Sequence, residues 1–464
     1  MASSAGPAAN KLCSHNLNLM TFTLTPPAIP EIPAKPSRNY LHINPRYHPY
    51  IGGSEYYMQQ LAEWLAAVEP EAEVSVYTTN AWDLEHFWRS KRRTIKEPLS
   101  ELNGVEILRF PVRRLPLVSP LFYPGLRRIL SIISESPLPD KLALAALNQL
   151  CRVTPLVPAL GRELHRKDET FDLVHAANAP FDSLIRSAFE YCHKHDAAFV
   201  LTPFVHLGEP ANPAVRRFYT MRHQLEWMKK ADAVFTMTTL ERDFLLEKGV
   251  PDAKMHVVGV GVNPLEIEGG NGAAFREKHR IDGKMVFFQG TAAYDKGTHH
   301  LVQAMQRLWQ SGYEATLVIA GPVMTQFQRF YDELPEENKK RIRFLKFIPP
   351  QEKRNLFAAG DLLVMPSRTD SFGIVYMEAW LCGKPVIGAR AGGVPAVISD
   401  EQDGLLVEFG AVADLADKIK SLLENPTLAE KFGQAGRAKV LEKYTWPVVF
   451  GKVYSVYRQV LGES

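Results

Sequence analysis

The chain is 464 residues long, 46% hydrophobic and 23% charged, an ordinary globular composition in a length too great for a single core. Its formal net charge of +3 supplies no bulk basic surface for nucleic acid, and no apolar run reaches the roughly 20 residues that span a bilayer. The four cysteines, Cys13, Cys151, Cys192 and Cys382, are scattered without C-x-x-C spacing, which argues against a zinc site and for a reducing, cytoplasmic setting.

Residues 1–37, rich in Ala, Ser and Pro, read as a disordered leader too polar to hold a signal-peptide core. From residue 38 onward, short β-rich runs alternate with amphipathic ones, the signature of βαβ units around parallel sheets. YLHIN (40–44), EVSVYTT (73–79), VEILRF (105–110), FDLVHA (171–176), AAFVLTPF (197–204), AVFTMT (233–238) and MHVVGVG (255–261) predict a first doubly wound domain over 38–265. Within it, 115–165 is long, apolar and strandless, and predicts a helical insertion packed on its own domain. Arg127 and Arg128, set among Leu126, Ile129 and Leu130, make a membrane-facing or acceptor-facing helix the alternative. After a Gly-rich linker over 266–283 the alternation restarts: MVFFQG (285–290), ATLVIAG (315–321), RIRFLKF (341–347), DLLVMPS (361–367), PVIGA (385–389) and GLLVE (404–408) predict a second such domain over 284–445. Residues 412–461 read as consecutive helices, and 446–464 as a helix returning to the first domain. Two such sheets hold ligands outside the carboxyl ends of their strands, which places a substrate in the cleft between them.

The strongest local signal is TDSFGIVYMEAWLCG (369–383), where a short apolar helix follows Gly373 and carries one carboxylate, Glu378, with Asp370 just before it. A helix start offers free N–H groups and a positive dipole end to an anion, so Phe372, Gly373, Ile374 and Val375 are candidates to receive a phosphate. A carboxylate among apolar neighbours needs donors, and the hydroxyls of a ribose or sugar would supply them to Glu378 and Asp370. The bland alternative for Glu378 is a solvent-facing residue that favours the helix dipole. QGTAAYDKG places Gly290, Thr291 and Lys296 in a strand-to-helix loop where an ammonium can neutralise a diphosphate. YIGGSEYYM places Gly52 and Gly53 before a helix that Ser54 can cap, a second anion-compatible loop. His193, His195, His299 and His300 read as residues on exposed helix faces, and no D-x-D sequence offers a divalent cation a seat, so no metal is assigned.

GGSE, GTAAYDKG, VIAGP, MPSRTDSFGIVYMEAWLCGKPVI and AGGVPAVISDEQDGLLVE occur in the order and spacing that resembles the retaining glycosyltransferases of family 4, from about residue 39 to the carboxyl terminus. The resemblance implies a GT-B fold, a nucleotide-diphospho-sugar donor held mainly by the second domain, and an acceptor bound mainly by the first. That acceptor would be a sugar, a lipid-linked or a small-molecule hydroxyl. Nucleic acid is not an expected partner, no metal is strictly required, and peripheral contact with the inner face of the membrane through the first domain is an option.

The family's E-x7-E motif resembles Asp370-x7-Glu378, which implies Asp370 on the sugar hydroxyls and Glu378 on the ribose. Lys296 would take the diphosphate, and His206 in VLTPFVHLGE would orient the sugar, with His175 the alternative because Phe204 occupies the commonest position for that histidine. The catalytic set the resemblance implies is therefore His206, Lys296 and Asp370. Thr291 stands where the family commonly has an arginine, and Arg368 is a candidate to replace it. The implied reaction is transfer with retention; a sugar-nucleotide epimerase on the same fold and a non-catalytic nucleotide-sugar-binding homologue are the alternatives.

Overall fold

A computed structural model describes residues 38–49, 52–87, 93–114, 119–166, 170–209 and 213–463. The expected leader lies outside them.

The first sheet contains β1 (Asn39–Ile43), β2 (Glu73–Thr79), β3 (Leu99–Leu102), β4 (Val105–Phe110), β5 (Leu173–Ala177), β6 (Ala198–Thr202), β7 (Ala233–Thr236) and β8 (Met255–Val257). Their order is β3-β4-β2-β1-β5-β6-β7-β8, and every pairing is parallel except β3 with β4. The second sheet contains β9 (Lys284–Gln289), β10 (Ala315–Ala320), β11 (Ile342–Leu345), β12 (Leu362–Met365), β13 (Val386–Ala389) and β14 (Leu405–Val407), all parallel in the order β11-β10-β9-β12-β13-β14. Each sheet reverses its winding at one point, between β1 and β5 and between β9 and β12. Open parallel sheets open a crevice for ligands at such points.

The strands read as apolar runs because both faces are covered. Met285, Val286, Phe287 and Phe288 of β9 are all fully buried. In β1, Tyr40 joins the core shared with the helix Gly53–Val68, while Leu41 and Ile43 join the core on the opposite face. β3 escapes the sequence reading for a physical reason. It is four residues long, pairs through β4, alternates exposed and half-covered positions, and so carries no apolar run.

The insertion forms the helices Ser119–Glu135, Asp140–Leu150 and Pro158–Arg166. Arg127 is not on a membrane face: its guanidinium reaches the buried Asp182 carboxylate at 2.5 Å and the Pro180 carbonyl at 2.9 Å. Leu126 and Leu130 line the same inward stripe, and Arg128 and Ile129 face out. The Gly-rich stretch between the sheets contains a helix, Gly272–His279, which packs on the helix Pro350–Ala359.

The chain ends in the helix Trp446–Val460, which lies on the first domain. Phe450 stacks on Trp64 with centroids 5.8 Å apart, and the Tyr454 hydroxyl donates to Glu69 at 2.9 Å. The Tyr457 hydroxyl meets His175 Nδ1 at 2.6 Å in the middle of the sheet.

Candidate active site

The carboxyl ends of β9 and β12 carry the loops that hold Lys296 and Asp370, one on each side of the second switch point. Lys296 Nζ donates to Asp370 Oδ1 at 2.7 Å, although the two are separated by 74 residues in sequence. Asp370 Oδ2 is buried with no hydrogen-bond partner. Burial alone would raise the Asp370 carboxyl; the Lys296 ammonium, together with bonds from Lys296 and Ser367 and the nearby His206, outweighs it and holds the group below the ordinary carboxylate range. An ionised carboxylate with one oxygen unmet is poised to accept hydroxyl donors.

The backbone around Asp370 is fixed from a neighbouring loop. Its carbonyl accepts the Gly393 N–H at 2.8 Å, and a Cβ on Gly392, at φ +60°, would stand 2.3 Å from that same oxygen. Gly373 is held just as tightly: at φ +87° it caps the helix Ile374–Leu381, and a Cβ there would lie 2.4 Å from the Tyr376 ring. Glycine is what lets the chain turn into the helix at this point. Val375 is buried within the helix and Ile374 is half-buried. The ring of Phe372 is buried edge-on against Tyr444 of the carboxyl-terminal crossover at 5.3 Å. Gly290 follows β9 with its N–H on the Ala320 carbonyl at 2.9 Å, and Thr291 is half-buried beside it.

Glu378 is neither solvent-facing nor alone. Lys353 Nζ reaches its Oε1 at 2.5 Å, and the Glu266 carboxyl and the Tyr56 hydroxyl stand nearby. Burial raises the Glu266 carboxyl, a bond from the Tyr56 hydroxyl at 3.1 Å draws it down, and Glu378 pushes it up again. This cluster joins the helix Gly53–Val68, the inter-domain segment and the second domain.

From the first domain, His206 faces the Lys296–Asp370 pair across the cleft. Its ring stacks on Tyr219 at 5.2 Å, and burial followed by the Lys296 charge holds its pKa at about 4, so the imidazole is neutral at physiological pH. His175 lies elsewhere. It is fully buried in β5, its Nδ1 on Tyr457 and its Nε2 on Thr202 Oγ1 at 2.7 Å, so both ring nitrogens are engaged inside the domain core.

Arg368 sits between the faces of Tyr294 and Phe409, at 5.3 and 4.9 Å. Its guanidinium binds Asp295 at 2.5 Å and crosses the cleft to Glu209 at 2.7 Å. Gly52 is the N-cap of the helix Gly53–Val68 without a side-chain cap, and Gly53 is exposed. The cap assigned to Ser54 is therefore corrected: the helix begins two residues earlier, and the Ser54 hydroxyl turns to Glu55 instead. His299 and His300 also depart from expectation. They are only 7% and 9% exposed, packed against Phe330, Phe409 and Tyr294, because their helix turns this face to the site loop. Among the described residues no three His, Cys, Asp or Glu side chains gather as a metal ligand set.

The sequence reading missed Ser367, a near neighbour that bonds to Asp370, and Lys353, Glu266 and Glu209, which engage their partners across long sequence separations.

The sequence model described as Glycosyl transferase 4-like domain matches residues 52–261, and that described as Glycosyl transferases group 1 matches 272–439. The chain belongs to the group 1 glycosyl transferases. Relatives of this group 1 chain include the alpha-maltose-1-phosphate synthase of Mycolicibacterium smegmatis, 26% identical over 50% of this chain and 64% of that protein. The D-inositol 3-phosphate glycosyltransferase of Corynebacterium glutamicum is 30% identical over 46% of this chain and 53% of that protein. The chain thus spans between about half and two thirds of the length of these curated relatives. Among solved structures, the sucrose-phosphate synthase of Thermosynechococcus elongatus superposes with TM-score 0.69 at 20% identity, covering 92% of this chain and all of that one. Anabaena HepE in complex with UDP and glucose superposes with TM-score 0.62 at 16% identity over 90% of this chain and 98% of its own. The two parallel sheets with their cleft and these neighbours make the fold GT-B.

Proposed function

We propose that this chain transfers a sugar from a nucleotide-diphospho-sugar to an acceptor hydroxyl with retention of configuration. The observation that carries the reading is the single locus formed by Lys296, Asp370 and the helix start at Ile374, at the second switch point and opposite a neutral His206. A diphosphate at the helix start would meet free N–H groups and the Lys296 ammonium. Asp370, released from Lys296 as the diphosphate takes that ammonium, would hold sugar hydroxyls, and Glu378 would hold the ribose. Arg368, already beside this loop, would supply a second cation in place of the one absent at Thr291.

Catalysis on this reading is positioning and charge stabilisation: the departing diphosphate takes the acceptor proton, and no protein nucleophile is needed. The relatives named for inositol phosphate and maltose-1-phosphate chemistry favour a small polar acceptor over a polymer. The three described cysteines are free thiols, in keeping with a reducing cytoplasmic setting. Exposed Ile129, Ile132 and Leu142 on the insertion, beside Arg128, support peripheral contact with an anionic membrane as an accessory feature.

A thermal-shift screen of UDP-, GDP-, ADP- and dTDP-sugars tests the donor class, since a ligand at 100 times its Kd adds about 2.7 kcal/mol. Proton NMR of the transfer product with the best donor then reads the anomeric configuration. Conversion of donor alone into an epimer, or binding with no transfer across a broad acceptor set, would overturn the reading.

A further inference from the structure

The segment Phe204–Glu209, which carries His206, is held at four points over six residues. The Val205 N–H donates to Glu241 Oε1 at 2.7 Å, and Arg216 donates to the Leu207 carbonyl. The Gly208 carbonyl accepts the Gly392 N–H at 2.9 Å, and Glu209 binds Arg368 at 2.7 Å. The first two anchors belong to the first domain and the last two to the second. Cleft opening therefore releases Gly208 and Glu209 but leaves Val205 and Leu207 tied.

Glu241 is the unusual member. It is 2% exposed and forms no ion pair among the described residues. Its place in the helix Thr239–Glu247 explains one of its oxygens: Thr238 caps the Glu241 N–H at 3.1 Å, and Glu241 Oε2 reaches back to the Met237 N–H at 2.7 Å, an arrangement close to a capping box. The other oxygen has no such local duty and crosses to Val205. Phe204, directly before it, is a non-glycine residue at φ +51°, a conformation that persists where surroundings enforce it.

We infer that Glu241 is a positioning residue, whose ionised carboxylate sets the height of the His206 loop at the donor site when the cleft is open. The inference rests on the transferase reading for its kinetic consequence but not for its structural one. Each of the two N–H donors has its own oxygen, and protonation puts a donor on one of these oxygens and weakens it as an acceptor. Burial raises the Glu241 pKa to about 7, against the pull of the Met237 and Val205 bonds, so this tether changes state near neutrality. The groups facing it are the Tyr57 hydroxyl from the helix Gly53–Val68 and the Tyr219 hydroxyl beneath His206; Arg216 is turned to Leu207 and to the face of Phe244.

The test is selective labelling of the full chain with ring-labelled histidine and amide-labelled valine. In the wild-type protein the Val205 amide should titrate with a midpoint near 7, while His206 titrates at about 4. In Glu241→Gln the Val205 transition should vanish, and His206 should titrate at least one pH unit higher as its ring gains solvent. With the best donor, kcat should fall by at least tenfold while the donor KM changes less than threefold, and Glu241→Asp should recover part of kcat. A Val205 amide silent around pH 7 in the wild-type protein overturns the inference even where the variants fail to fold, as does an unmoved His206 in a folded Glu241→Gln. Absence of turnover in the wild-type chain would instead strike the transferase reading, and the two titrations would still decide the role of Glu241.

Discussion

Replacing Gly373 by Ala tests the turn into the helix that would receive the diphosphate. Two costs follow from the geometry. An L-residue at φ +87° sits in the left-handed region at a cost of about 1–2 kcal/mol. Its Cβ would also lie 2.4 Å from the ring of Tyr376, which is fully buried and whose hydroxyl donates to the Met365 carbonyl at 2.5 Å. The ring must turn, and although the Met365 carbonyl keeps the Ser367 N–H at 2.8 Å, the buried Tyr376 hydroxyl loses its acceptor, a further cost of about 1–3 kcal/mol. The sum is about 2–5 kcal/mol, read from urea unfolding monitored by tryptophan fluorescence. Gly53→Ala is the matched control. A Cβ there meets nothing within 4 Å, and a helical Gly→Ala change gains up to about 1 kcal/mol. Donor affinity by calorimetry should fall at least tenfold in Gly373→Ala. An unfolding curve for Gly373→Ala that overlays the wild type would refute the argument, since the Tyr376 ring would then not be fixed against this turn.

Lys296→Ala should lower transfer kcat by about 10²–10³-fold, the effect of removing one preorganised group from developing charge, as measured by steady-state kinetics at saturating donor. Glu378→Gln should raise the donor Kd more than it lowers kcat, because one of its two hydroxyl-accepting oxygens becomes an amide donor. Burial holds His42, His86 and His206 at about 4, so the unfolded chain takes up protons at about 6.5 that the fold refuses. Stability contributed by these neutral rings is intact above that pH and lost as pH falls from 6.5 towards 4; the urea midpoint should drop between pH 7.5 and pH 5. Glu209→Gln should weaken the cross-cleft contact with Arg368 and raise the donor KM, whereas a KM unchanged at every salt concentration would show that this pair does not hold the cleft.

The strands were legible because buried parallel strands announce themselves as apolar runs, and each strand in both sheets except β3 coincides with one of those runs. The loops after β9 and β12 were picked out by their glycines, Lys296 and Asp370, and the structure brings that lysine and aspartate within 2.7 Å of each other. What could not be read was pairing at long range. Nothing in the sequence ties Lys353 to Glu378 or Glu209 to Arg368, since those contacts depend on how two sheets face each other. The burial of His299 and His300 depended likewise on which face of their helix met Tyr294 and Phe409. Glu241 did leave a trace: Thr238-x-x-Glu241 has the spacing of a capping box, although its second oxygen serves a loop more than thirty residues away.

The last helix closes the first sheet. His175 in β5 completes its hydrogen bonds with Tyr457, and Trp64 in the first long helix finds its stacking partner in Phe450. During synthesis the amino-terminal domain therefore leaves the ribosome with part of its core unfilled, and waits through the making of the entire second domain for its final layer. An amino-terminal half expressed alone, cut at residue 265, would present that groove to solvent without the layer that Tyr457 and Phe450 supply.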